Sequence, residues 1–119
     1  TQFKHTALLP AVQLGNSQGF AVTVANVSSA TATCTISIRG SDGSLLNKHA
    51  AELPGGETTV EGFPAGALGQ PTMRLVVTST SSKRSNPCLP LVEVLSFPSQ
   101  GVNHVDAIVS DAIVTNSAT

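Results

Sequence analysis

Neither tryptophan nor tyrosine occurs in this sequence, and Phe3, Phe20, Phe63 and Phe97 are its only aromatic rings. Stacking on a glycan or on nucleobases depends on exposed rings, and Phe20 and Phe97 fall on apolar faces, so neither ligand class is expected. Charge is equally scarce: charged residues make up 11% of the 119, and the formal net charge is −1. Such a balance offers no electrostatic footprint for nucleic acid or for an anionic membrane surface. No apolar run approaches the length needed to cross a bilayer, which excludes membrane insertion by a helix. The chain opens at Thr1 with neither an initiator Met nor a signal peptide. A mature, processed product is expected, an appearance that trimming would share.

Cysteine occurs twice, at Cys34 and Cys88, with no C-x-x-C and no Cys/His cluster. A distant pair in a low-charge, hydroxyl-rich chain reads as one disulfide formed in an oxidising compartment, the alternative being two buried thiols. Closing that loop is worth roughly 4 kcal/mol by chain entropy.

What the chain has in place of charge is hydroxyl: 27 residues are Ser or Thr. Thr is β-branched and suits the exposed side of a pleated strand. The hydrophobic period is two. In "TATCTISIR" (31–39), Ala32, Cys34, Ile36 and Ile38 share one face, and Thr31, Thr33, Thr35, Ser37 and Arg39 share the other. "FAVTVANV" sets Phe20, Val22 and Val24 against Ala21, Thr23 and Ala25; "TMRLVVTS" sets Met73, Leu75 and Val77 against Thr72, Arg74 and Thr78. Turn chemistry separates such runs at 15–19, 26–30, 40–44 and 54–56, and Asp42-Gly43 predicts a hairpin with a type I′ turn. "FPAGALGQP" (63–71) reads as a loop crossing between sheets, and "SSKRSNP" (81–87) as an exposed tip carrying Lys83 and Arg84.

Strands are therefore expected near 5–14, 19–27, 31–39, 44–53, 57–63, 72–80, 88–97 and 102–109. Seven to nine short strands without a helix predict a sandwich or a small barrel, and an all-β antiparallel sandwich over residues 1–109, with 110–119 as a C-terminal tail, is the better reading.

The run "ANVSSATATCTISIRGSDGSLLNKHAAELPGGETTV" resembles secreted bacterial domains of the broad immunoglobulin-like β-sandwich type. The resemblance rests on Asn26 ending a strand, Cys34 in the next alternating strand, the Asp42-Gly43 hairpin, and Leu53-Pro54-Gly55; it covers about a third of the chain. It implies a fold and an envelope or extracellular setting, and no activity. The chain departs from antibody-type domains in lacking the buried Trp and the corner Tyr, and in placing Cys34 on the third predicted strand, not the second.

No catalytic constellation is legible. His5, His49 and His104 lack metal-ligand spacing. The acidic residues are dispersed; Glu57 and Glu61 flank a predicted strand from which they could meet Glu52 or Lys48 across a hairpin, as a solvated face. No Ser occupies a G-x-S-x-G elbow, and "PGGE" and "GALG" lack the residues of a phosphate loop. The expectation is a non-enzyme without metal or cofactor, a hydrolase being the remote alternative. Asn26-Val27-Ser28 matches a glycosylation sequon, a match that chance explains better than use.

Two stretches point to contacts. In "CLPLVEVLSF" (88–97), Cys88, Pro90, Val92 and Val94 face the core if Cys88 does, leaving Leu89, Leu91, Leu95 and Phe97 outward with Glu93 the only interruption. An outward apolar row calls for a cover. A bulge at Pro90 would instead flip the register and bury half of it, and the chain's own loops are another cover. The second stretch is "DAIVSDAIVT" (106–115), a five-residue repeat that inverts its facing along a strand and so predicts two β segments bent at Ser110-Asp111. Ala112, Ile113 and Val114 are expected to pair with a sheet edge of a neighbouring copy or of their own chain, with "KHTALLP" an alternative donor and 44–53 and 57–63 the available edges. The sequence thus favours a secreted structural or adhesive subunit that contacts copies of itself or another envelope protein. The alternative is a monomeric extracellular accessory module binding a ligand through loops 81–87 and 63–71.

Overall fold

The computed structural model describes residues 2–15, 17–64, 72–96, 104–109 and 113–118. Ten strands follow one another without a helix among the described residues: β1 (Phe3–Leu8), β2 (Val12–Gln13), β3 (Gln18–Asn26), β4 (Ala32–Gly40), β5 (Leu45–Leu53), β6 (Thr58–Pro64), β7 (Thr72–Ser81), β8 (Cys88–Ser96), β9 (His104–Val109) and β10 (Ile113–Ala118). The larger sheet runs β10-β1-β7-β4-β5, with β2 also on β7; the smaller runs β6-β3-β8-β9. Every pairing is antiparallel.

The alternation read from the sequence decides which side chains meet between the sheets. Phe20, Val22 and Val24 of β3 and Val92 and Val94 of β8 pack against Ile36 and Ile38 of β4 and Met73, Leu75 and Val77 of β7. Each is at most 4% exposed, and side chains of this size contribute about 1.5–3 kcal/mol apiece when fully buried. Cys34 and Cys88 are bonded to one another, joining β4 of the larger sheet to the start of β8 in the smaller.

Three local expectations need correcting. The strand expected over 5–14 is split into β1 and β2. Pro10 has no N–H to give to a ladder; the bonding to β7 runs past Leu8 to Leu9 N, which donates to Leu75 O (3.1 Å), and strand pairing resumes at Val12. The β4–β5 hairpin is not a two-residue type I′ turn. Gly40 N donates to Ser44 O (2.9 Å) and Gly43 N to Gly40 O (3.0 Å), so the loop is the three residues 41–43, with Gly43 taking the left-handed conformation at φ 85°. Asp42 accepts from the Ser44 amide and hydroxyl instead, which steadies that longer loop. Residues 81–87 are only partly an exposed tip. Ser82, Arg84 and Ser85 are exposed, but Ser81 and Pro87 are buried, and Asn86 Oδ1 accepts from Ser79 Oγ and Cys88 N.

The two halves of the C-terminal repeat lie in different sheets. β9 extends the smaller sheet beside β8, while β10 lies against β1 in the larger, in the register Leu8 to Ile113 and Ala7 to Val114. Ile113 and Val114 thus pair with their own chain in this structure, and residues 113–118 belong to the sandwich. Ala112 lies outside the described residues. β5 and β6, the two strands expected to offer edges, are the edge strands of their sheets.

Candidate functional site: the outer face of the smaller sheet

The smaller sheet turns one side to the core, and its register orders the residues on the other. Four cross-strand rows run over β6, β3, β8 and β9: Thr58–Ala25–Leu89; Val60–Thr23–Leu91; Gly62–Ala21–Glu93–Ile108; and Pro64–Gly19–Leu95. Leu89 is 62% exposed, Leu91 45%, Val60 64% and Ile108 61%. Val27, immediately after β3, is exposed as well, and Leu95 is half-buried. On β1, β2, β7, β4 and β5 of the larger sheet, Leu45 is the one comparably exposed large apolar side chain.

The β8 row is outward because the β3–β8 register runs unbroken from Asn26–Cys88 to Gln18–Ser96. No bulge forms at Pro90; the one irregularity lies between Val94 and Leu95 against β9. Among the described residues β9 pairs with β8 from Val92 onward, and Pro90 lies opposite Val24 of β3. Phe97 lies outside the described residues.

The face has relief. β3 contributes Gly19, Ala21, Thr23 and Ala25, all small, between Val60 on one flank and Leu89, Leu91 and Leu95 on the other. A trough along β3 therefore adjoins a leucine ridge along β8. Glu93 is the only charged residue in the four rows, and β6, β3, β8 and β9 contain no Lys or Arg. The larger sheet's strands carry Lys4, Arg39, Lys48 and Arg74. Two of its outer rows are rich in hydroxyl, Thr6–Thr78–Thr35 and Thr80–Thr33, and the row Leu8–Val76–Ser37 mixes apolar and hydroxyl side chains. The leucine row is legible in the sequence; Val27, Val60 and Ile108 escape a reading of pattern alone. The signal for Val60 is weak, because β6 alternates poorly, with Gly62 and Pro64 also on the outward side.

The polar groups elsewhere are structural. Asn26 is 1% exposed, and its Nδ2 donates to the carbonyls of Ala30 and Leu53 (both 2.8 Å) while its Oδ1 accepts from the Ser28 amide and hydroxyl. Buried His5 has Nε2 3.1 Å from the Lys83 carbonyl. His49 Nε2 lies 2.9 Å from Glu61 Oε1. They link β5 to β6 across the gap between sheets, so Glu61 meets neither Glu52 nor Lys48 over a hairpin. A depression of about 370 Å³ beside the β4–β5 loop is lined by Asp42, Met73 and Arg74 among others. Hydrogen bonds from the Ser44 hydroxyl and amide hold the Asp42 carboxyl below the ordinary aspartate value of 3.8. Among the described residues no three His, Cys, Asp or Glu side chains gather as metal ligands, and no helix is long and apolar enough to cross a membrane. Comparison with family models, with curated proteins and with solved structures finds no match to this chain.

Proposed function

We propose that this chain is a non-catalytic, secreted β-sandwich of immunoglobulin-like type that serves as a structural or adhesive subunit and associates with copies of itself. The observation that carries the reading is the exposed apolar face of the smaller sheet, whose four rows hold one charged residue, Glu93, and set a ridge beside a trough. Monomeric soluble proteins rarely leave such a contiguous surface open, and when they do it marks a contact. The cross-sheet disulfide supports a setting outside the reducing cytoplasm.

The immunoglobulin-like part of the reading is supported by the central pairings. β3 with β6 in one sheet, and β4 with β7 and β5 in the other, follow the B–E and C′–C–F neighbours of that architecture. The flanks differ, since β8 stands beside β3 and β1 beside β7. Size-exclusion chromatography with light scattering is the direct test. A mass that rises with concentration is expected, and a clean monomer throughout would remove self-association.

A second reading, a ligand-binding accessory module, has one observation in its favour. Lys83 and Arg84 sit on a loop braced by the Ser81 and Asn86 side chains, with Arg84 5.7 Å over the ring of Phe3. Binding of an anionic ligand by the monomer, lost in Arg84→Ala, would favour that module.

A further inference from the structure

Building on the self-association proposed above, we infer that the outer face of the smaller sheet is the contact, that its occupant is the same face of a second copy, and that Glu93 limits its strength. Shape comes first. The ridge of Leu89, Leu91 and Leu95 lies on β8, directly beside the trough that Ala21 and Thr23 form on β3. A two-fold axis passing between β3 and β8 sets each copy's ridge into the other's trough. That is the self-complementarity an isologous interface requires, residue i meeting j while j meets i.

Area gives the second reason. Strands of seven, nine, nine and six residues, at ~3.4 Å per residue and ~4.8 Å spacing, make a face of roughly 500 Å². Two such faces bury roughly 1,000 Å², at the lower limit of a specific contact. The dimer is therefore weak and concentration-dependent, with dissociation in the micromolar range or above.

Charge decides between this partner surface and the other surface a second copy could offer. A stack in which the smaller sheet lies on the larger sheet of the next copy would bring Glu93 toward Lys4, Lys48 or Arg74, and would leave the leucines on a hydroxyl-rich face. Apolar ridges are better covered by an apolar face than by threonine hydroxyls that would lose water. In the two-fold arrangement the strands of the joined faces bring no Lys or Arg from either copy, so the two Glu93 carboxylates repel and lose solvent together.

The two geometries give opposite results for one substitution. Sedimentation velocity on the oxidised full chain, from about 1 µM to about 1 mM, measures the dimer constant. Glu93→Gln should tighten the dimer about five- to tenfold, and Leu91→Asp, at an exposed position, should loosen it at least about tenfold while thermal unfolding stays unchanged. Amide exchange should slow on dimerisation along β3 and β8. A Glu93→Gln variant that dimerises more weakly, or species that grow beyond the dimer, would overturn the two-fold face in favour of stacking. A wild-type dimer unaffected by Leu91→Asp would overturn this face and leave self-association standing on another surface. A wild-type monomer at every concentration would overturn both.

Discussion

Gly55 meets the backbone of Ser29 so closely that a β-carbon on Gly55 would lie 2.7 Å from the Ser29 carbonyl carbon and 2.8 Å from its oxygen. The approach presses the β5–β6 turn onto the β3–β4 loop, and backbone on both sides leaves nothing flexible to yield. Gly55→Ala should cost about 1–3 kcal/mol in urea unfolding. Gly62→Ala is the control: nothing lies within 4 Å of the point its methyl group would occupy, so stability should stay within about 0.5 kcal/mol.

The same junction predicts a strong dependence on Asn26. Its amide gives both hydrogens to carbonyls and its oxygen receives two donors from Ser28. Asn26→Asp turns the two donations to carbonyls into oxygen facing oxygen in a buried site, with an expected loss of at least about 3 kcal/mol. Nδ2 is also the atom a glycan would take. Protein secreted from a eukaryotic host should therefore show an unmodified Asn26 by peptide mass; a fully occupied site in folded material would contradict the hydrogen-bond pattern.

Oxidised protein should show the two-hydrogen mass deficit of one disulfide and a linked Cys34–Cys88 peptide pair. Replacing both cysteines by Ala should lower unfolding free energy by about 3–4 kcal/mol, read from chemical denaturation. Cysteine pair loss should leave the dimer constant of folded protein unchanged, because both residues face the core.

Asp42 gives a pH prediction of definite sign. Its folded pKa is lowered, chiefly by the Ser44 hydroxyl and then by the Ser44 amide. The carboxylate's contribution is thus present above the unfolded pKa and fades as pH falls through the folded one. In an NMR titration Asp42 should titrate below 3.8, and Ser44→Ala should move it upward. A midpoint unmoved by Ser44→Ala would show that the hydroxyl bond is not made in solution.

Much of this architecture is legible because its signals are local. The alternation of Ala32, Cys34, Ile36 and Ile38 fixes a buried face without knowing the partner strand, and the same logic places Leu89 and Leu91 outward. What escapes depends on distant partners. Residue-by-residue pattern does not say that β10 crosses to β1, since Ile113 and Val114 suit any edge. Nor does it say that His49 finds Glu61, because sheet membership of β5 and β6 follows from the turn at 54–56. The small residues of β3 read as a second, weaker apolar face; their meaning as a trough needs Val60 and Leu91 as neighbours.

Phe3 and Ala118 are register partners at one end of the β1–β10 pair, which gives the molecule a direction of mechanical weakness. Tension applied through the two chain ends would load the hydrogen bonds of that pair one after another, a zipper geometry, and not all together in shear. Peeling would then proceed inward along both ends of the chain until it met the Cys34–Cys88 bond. There the force would pass straight through the covalent bridge, leaving residues 35–87 outside its path. A molecule held by its ends would lengthen as β1 and β3 strip from β7 and β6, then stop abruptly, with β5, β6 and β7 off the covalent path of the force.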